Sequence, residues 1–527
     1  MPAAGASEPK ADVHPVARNA LRICLSAKEY KRLYEFALKH GSPSTLNKFP
    51  SPSRYEAIVR SKNKHNVTAV RTSLRVFLGT GMVLKFVGAI ISKLRKEPSQ
   101  NKLRTSILNS PNFRLSLSLS LTLLLHRFLY RFLVKLRSNL RSDDARPFRK
   151  RNPRISKALT SRFTPAVGAS IAGFALGICP QNQLRMTIAI YTSTKSFEYL
   201  YNVLDQKGWL KDRPSWFGSW LLMPVSCAQL FHAFVFDREA TPKWFGDIIL
   251  NLSPSYIRSR PDAFPADRHW PDKYEIVDSL GTIADLRWPP FISPILHPSN
   301  RNTLPAAVKS LSPITGPAHP SISSLSCAVL HPDVPNCITA FLHHILLSVP
   351  PLARILTAVT LALSFRKLRA FLSHPISATN DISKHVLSIT AALSAAVGTA
   401  WGSLCLWNAL LSRSTLPTKR FFLSGALSGL PFAFISSNRT IYSAIFRAAV
   451  GTSWKAGVKR GVWKGLRGGE LWVIVVAWAV IGSVLDSSPS AIEGKGLRKA
   501  LVWMRGNGFS DPVETRRKKE KAASEDA

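Results

Sequence analysis

The sequence predicts an all-α, multi-pass integral membrane protein with two related helical halves joined by a Pro-rich linker. Three observations lead there. Of 527 residues, 46% are hydrophobic and only 19% charged, where an ordinary soluble enzyme has about a quarter charged. The charge is one-sided, with 71 Lys+Arg against 30 Asp+Glu and a formal net charge of +41. Long uncharged apolar runs alternate with basic stretches, the pattern of membrane spans with cationic flanks. A disordered basic tail protein is excluded, because such a chain is polar throughout and has too little apolar surface to fold.

Residues 1–70 read as an N-terminal extramembrane region. Its first 20 residues carry Glu8, Asp12 and His14 and no apolar core run, so neither a secretory signal nor a mitochondrial presequence is expected. The first membrane half covers residues 71–253. Residues 74–92 and 115–134 are weaker span candidates, interrupted by Arg75, Lys85, Arg127 and Arg131; interfacial or broken helices are the other readings. Two charge-free runs follow, 22 residues between Arg162 and Arg185 and 23 between Arg213 and Asp237. About 20 residues of helix cross the hydrocarbon.

Residues 135–162 form a polybasic loop in which only Asp143 and Asp144 oppose the Lys and Arg side chains. Beside a span, this reads as cytoplasmic anchoring to anionic lipid head groups, worth about 1 kcal/mol per basic residue. Nucleic acid is the rival explanation for the positive charge. It calls for a folded or aromatic-interleaved basic surface, whereas these charges sit at span edges, so no nucleic-acid partner is expected.

Residues 254–335 contain fourteen prolines and no long apolar run, and read as a mobile, partly disordered extramembrane linker. The second membrane half covers 336–505. Residues 338–365 are broken by Pro350-Pro351 and Arg354. Charge-free runs of 27, 18 and 15 residues then follow His385, Arg420 and Glu470. Five to eight spans are expected in all. Residues 506–527 are a charged C-terminal tail without a Ser-Lys-Leu address.

The halves align when Gly173 is placed over Gly429. Asn182 then falls over Asn438, and an amphipathic stretch follows in each half. Each half next reaches a Trp after a basic hinge, Trp209 or Trp463, and a Trp-rich run closed by an Asp, Asp237 or Asp486. A shared order of this kind favours duplication over chance likeness of apolar helices. Gly173/Gly177, Gly398/Gly402 and Gly425/Gly429 form three GxxxG pairs, the expected helix-packing faces. Lipid gives no hydrophobic drive for helix pairing, so close backbone approach supplies the attraction.

Reaction signatures are absent from the sequence: no HExxH, GxSxG, Walker A loop or GxGxxG after a strand. His343 and His344 lie in an apolar run and could relay protons or act as a base, but no carboxylate accompanies them. Lys195 and Glu198, spaced i,i+3, could line a polar path with them; a surface helix ion pair is the plainer reading. The six cysteines, Cys24, Cys179, Cys227, Cys327, Cys337 and Cys405, form no CxxC and no zinc-ligand spacing, and read as small buried hydrophobes. No metal and no cofactor are expected.

The stretch Gly168–Trp209, GASIAGFALGICPQNQLRMTIAIYTSTKSFEYLYNVLDQKGW, resembles the transmembrane protein 135 family, as does the following FHAFVFDREATPKWFGDIILNLSPSYI. The family features are a small-residue span at Gly173/Gly177, a turn at Pro180, and Thr192-Ser193-Thr194 leading to Glu198. The family is loosely grouped with peroxisomal membrane protein 24 and the mitochondrial inner-membrane import translocase subunits. The match covers residues 160–257, with an echo at 420–505. It departs from the family in lacking a Cys-rich N-terminal region, and in having Trp454 where the second copy would carry the counterpart of Glu198. The resemblance implies a non-enzymatic peroxisomal or mitochondrial membrane protein, involved in organelle organisation or lipid homeostasis through protein partners or a homo-oligomer. A membrane transporter or channel built from two repeats is the alternative.

Overall fold

A computed structural model describes residues 14–40, 49–61, 63–94, 110–180, 182–214, 216–296, 304–364, 375–435, 439–506 and 508–525. Asn438 lies outside these residues. The described residues are helical, with a single isolated bridge between Pro290 and Ser324 as the nearest thing to a strand. Among the described residues six helices are long and apolar enough to cross a membrane, which fits a helical membrane protein. The chain divides into two compact units, residues 1–212 with 466–527, and residues 213–465. This division differs from the sequential halves 71–253 and 336–505.

The first unit opens with α1 (Pro15–Cys24), α2 (Ala27–His40) and α3 (Pro52–Val59). They pack on one another and on α4 (Lys64–Leu94), which forms a hairpin with α5 (Pro111–Arg141). Ser110 caps α5 by accepting from the Phe113 N–H, and Pro111 occupies the first turn, where a missing donor costs nothing. Against α5 lies a short broken helix, α6 (Thr164–Ser170) tightening into a 3-10 segment, Ile171–Ile178. The 25-residue α7 (Asn182–Gln206) follows.

The second unit contains α8 (Leu222–Phe236), α9 (Lys243–Asn251), α10 (Lys273–Asp285) and α11 (Leu325–Leu330). It continues with the hairpin of α12 (Cys337–Ser364) and α13 (Pro375–Leu410). A second short broken helix follows, α14 (Arg420–Ser428) with the 3-10 segment Leu430–Phe434, and then α15 (Arg439–Lys459). The chain returns to the first unit for α16 (Gly469–Ser487), α17 (Lys495–Met504) and α18 (Pro512–Glu525).

Two expectations about the spans are corrected. The charge-free runs after Arg162 and Arg420 do not make long spans. Each yields a helix of seven or nine residues that tightens into a 3-10 segment, because their small residues and Pro431 favour close packing over a continuous α-helical ladder. The three charge-interrupted candidates become the long helices α4, α5 and α12.

The described residues of 254–335 are also not a disordered linker. Ile276, Val277, Leu280, Ile283 and Ala284 on α10 are fully buried at the i, i+1, i+4, i+7, i+8 spacing of an amphipathic helix. A capping box at Asp272 and Glu275 starts that helix. Its apolar face joins Phe231, Trp401 and Phe421 in the largest core of the protein. The Trp401 indole donates to Ser253 Oγ at 2.8 Å and meets Phe231 edge to face at 5.0 Å.

The C-terminal tail is tied to α17 through a bidentate pair, Arg498 to Asp511, at 2.9 and 2.7 Å. The Asp511 side chain is fully buried. The hydrogen bonds from Arg498 hold its carboxyl below the usual aspartate range. The stabilisation is therefore present above the unfolded aspartate value of about 3.9 and lost as pH falls below it. Amide exchange across α18 is expected to accelerate in that acid window, and Asp511→Asn to reproduce the effect at neutral pH at a cost of about 1.5–3 kcal/mol. Lys495 at the start of α17 also pairs with Glu514 on α18, and unchanged exchange in the variant would show that this second ion pair suffices to hold the tail.

Candidate functional site

The glycine pairs divide by what faces them. A Cβ on Gly425 would meet the Cys227 carbonyl oxygen at 2.5 Å and Ala228 Cα at 2.7 Å, and one on Gly429 would collide with the backbone of Pro224 and Met223. Here α14 sits directly on the backbone of α8. In the first unit Gly173 and Gly177 face α16, where an added Cβ would meet Val475 Cγ2 at 3.1 Å and Leu471 Cδ1 at 3.0 Å. A Cβ on Gly398 would meet Phe341 and His344, both at 2.9 Å, and one on Gly402 would meet the Tyr256 hydroxyl at 3.3 Å.

Lys195 and Glu198 pair with each other on α7 at 2.9–3.0 Å, with only 18% and 9% of their side chains exposed. Lys195 also lies 5.9 Å over the Tyr199 ring. They belong to the first unit, whereas His343 and His344 belong to the second. His344 is fully buried, 2.7 Å from Ser255 Oγ and against the Tyr256 ring, and His343 is exposed.

Sequence reasoning missed the buried cations. Arg127 on α5 is 2% exposed and donates to the Trp503 and Met504 carbonyls. Arg505 binds Asp486 at 2.5 Å and lies 4.7 Å over the Tyr130 ring. Arg185, which is half-buried, pairs with Glu470 at 3.0 Å and donates to the Cys179 carbonyl at 2.7 Å. Each cation answers a carboxylate or a helix-end carbonyl, which is how buried charge is tolerated.

It also missed a cluster in the second unit. Cys327 and His331 come from α11 and the residue ending it, Cys337 from the first turn of α12, and Cys405 from near the C-terminus of α13. Their three sulfurs and the imidazole all lie within 4.8 Å of one another. Cys327 Sγ is 3.9 Å from Cys337 Sγ and 3.3 Å from Cys405 Sγ, and Cys405 Sγ is 3.5 Å from His331 Nε2. Cys327, His331 and Cys405 are buried, and Cys337 is half-buried. The burial of Cys327 and Cys405 is as expected of small hydrophobes; their convergence with Cys337 and His331 is unexpected, because side chains distant in sequence meet only where α11 and the start of α12 come against the end of α13.

No family model, curated protein or solved structure matches this chain.

Proposed function

We propose that this chain is a non-enzymatic, multi-pass organellar membrane protein that acts in peroxisomal or mitochondrial organisation or lipid homeostasis. In this reading it is built from two related halves that exchange a helix. The observation that carries the two-half reading is a reciprocal order of elements. In the first unit, hairpin α4–α5 packs on a short broken helix, α7 follows, and both α6 and α7 pack on α16. In the second unit, hairpin α12–α13 packs on a short broken helix, α15 follows, and both α14 and α15 pack on α8. Each unit thus closes with the long helix whose place in the chain belongs to the other half.

The helix ends support the same pairing. After α7 the Trp209 N–H reaches the Leu204 carbonyl around Gly208, and after α15 the Val462 N–H reaches the Gly457 carbonyl around Gly461. The two glycines have φ of +79° and +70°, the left-handed residue that ends a helix in a Schellman motif. The chain changes units just beyond each of them.

The glycine faces of the two short broken helices meet apolar side chains of α16 and the backbone of α8, and the buried cations are each held by a carboxylate or by carbonyls, which supports a packed scaffold over a transport path. An apolar groove of about 540 Å³ lined by Ala391, Ala395, Leu427, Leu430, Pro431 and Phe434 supports contact with lipid chains. The organelle assignment rests on the family resemblance at residues 160–257.

The test is localisation of the tagged full-length chain against peroxisomal and mitochondrial markers, followed by lipid profiling of a deletion strain. A rim on either organelle with an altered lipid profile is expected. Signal confined to the endoplasmic reticulum or plasma membrane would overturn the organelle assignment and bring the transporter class forward.

A further inference from the structure

We propose that Cys327, His331, Cys337 and Cys405 form a structural zinc site that fastens the segment before α12 to one end of the α12–α13 hairpin. Three thiols and one imidazole converge from three elements, with Cys405 lying 68 positions beyond Cys337. A tetrahedral Cys3His zinc site, with Zn–S of about 2.3 Å and Zn–N of about 2.0–2.1 Å, places its sulfurs about 3.8 Å apart and sulfur and nitrogen about 3.5 Å apart. The observed 3.9 Å between Cys327 and Cys337 and 3.5 Å between Cys405 and His331 fit that polyhedron. The 3.3 Å between Cys327 and Cys405 is a contracted edge, and it is far beyond the S–S bond of about 2.05 Å that a disulfide requires.

The histidine is set for coordination. Its Nδ1 lies 2.9 Å from the Val334 carbonyl oxygen, so Nδ1 carries the proton and Nε2 turns its lone pair toward the sulfurs. A backbone carbonyl on the second ring nitrogen is the usual way a protein orients a ligating imidazole. All four ligands are protein groups, leaving no open position for a substrate, which is the mark of a structural rather than a catalytic site. Three thiolates with one imidazole suit zinc rather than a hard cation such as magnesium or calcium. On binding, Zn²⁺ displaces the protons of three thiols and ties their sulfurs and Nε2 to one centre.

Geometry also says what the ion holds. The C-terminal end of α13 and the N-terminal end of α12 meet at the cluster, and α11 packs on α13 and reaches the first residue of α12 through Cys327 and Cys337. The ion crosslinks three segments that otherwise meet through apolar contacts and the Asn408–Ser326 hydrogen bond at 2.7 Å. It fixes the register of the hairpin.

The full-length chain, purified in detergent without chelators, is the material for the test, and elemental analysis is the readout. About one zinc per chain is expected, falling to below about a tenth in Cys405→Ser and in Cys327→Ser. Cys24→Ser, outside the cluster, is expected to keep its zinc. His331→Cys turns the set into four thiolates, another structural zinc set, and is expected to retain the metal; this variant speaks even if the serine variants fail to fold. Exchange of the wild type with Co²⁺ is expected to give the visible bands of a tetrahedral thiolate site, shifted in His331→Cys. A wild-type chain that takes up no zinc when supplied with it, its cluster thiols all reacting freely, would overturn the proposal. So would a Cys327–Cys405 disulfide recovered from the native protein.

Discussion

Gly429→Leu and Gly425→Leu are expected to leave the second unit unfolded. The reason lies in which atoms occupy the space beside each glycine. At both positions the neighbours are main-chain atoms of α8, from Met223 to Ala228, and main chain cannot step aside by changing rotamer. Overpacking a core usually costs about 1–3 kcal/mol. That figure reflects side chains that yield, so a clash with helix backbone is expected to exceed about 3 kcal/mol, a large part of the total stability of a domain. The milder cases are Gly173→Ala and Gly177→Ala, which meet the side chains of Val475 and Leu471 on α16 and are expected to cost about 1 kcal/mol. Gly79 has nothing within 4 Å, and Gly79→Ala is expected to be neutral or slightly stabilising. Thermal melting of the purified variants, read by size-exclusion homogeneity, gives the ranking. If Gly429→Leu melts with wild type, the direct contact between α14 and α8 is wrong.

That ranking bears on what the sequence could reveal. GxxxG spacing was legible as a packing signal, because small residues four apart are the local signature of close helix approach. It could not show that one pair faces backbone and another faces side chains, since the facing helix α8 lies about two hundred residues earlier in the chain. Spans were legible where charge was absent, as in α8, α13 and α16. They were undervalued where a cation sat inside the run. Arg75 on α4 is matched by Glu29 at 2.6 Å and Arg127 by two carbonyls, and neither partner is visible from the run itself.

The opposite error came from length. A charge-free run of about twenty residues reads as a span, yet Thr164–Ile178 and Arg420–Phe434 tighten into 3-10 turns to bring glycine against a neighbouring helix. Proline counting misled in the same way: between the prolines of 254–335 stands the fully apolar face of α10. The Cys–His cluster lay beyond sequence reading for a simpler reason. The segment CAVLHPDVPNC supplies three ligands at a spacing unlike the short CxxC pairs that mark common zinc motifs, and the fourth arrives only when α13 folds back beside α12. A Cys, His and Cys within eleven residues at the start of an apolar helix was the available signal.

Arg420 carries the second large expected effect. It is fully buried, and its guanidinium gathers the end of α13. It donates to the Ser412 carbonyl at 2.5 Å, to the Leu411 and Thr415 carbonyls at 3.2–3.3 Å, and to the Asn408 side-chain oxygen. Its planar face lies 5.4 Å from the Trp288 ring centroid. The Leu411, Ser412 and Thr415 carbonyls belong to the turn that follows α13 and lie beyond its helical ladder, and one arginine supplies all three at once while the chain turns from α13 into α14. Arg420→Met keeps most of the length and apolar stem but strands those oxygens inside the core. Each buried acceptor left without a donor costs about 1–3 kcal/mol, so a loss of about 3–5 kcal/mol is expected. Arg420→Lys offers a point charge with no planar fork for several acceptors, and is expected to fall between wild type and Met. Because the same turn places Asn408 beside Ser326, the Met variant is also expected to raise amide exchange at the end of α13 and in α11. A Met variant as stable as wild type, with unchanged exchange there, would mean that water reaches these carbonyls and that the cation is incidental to the turn.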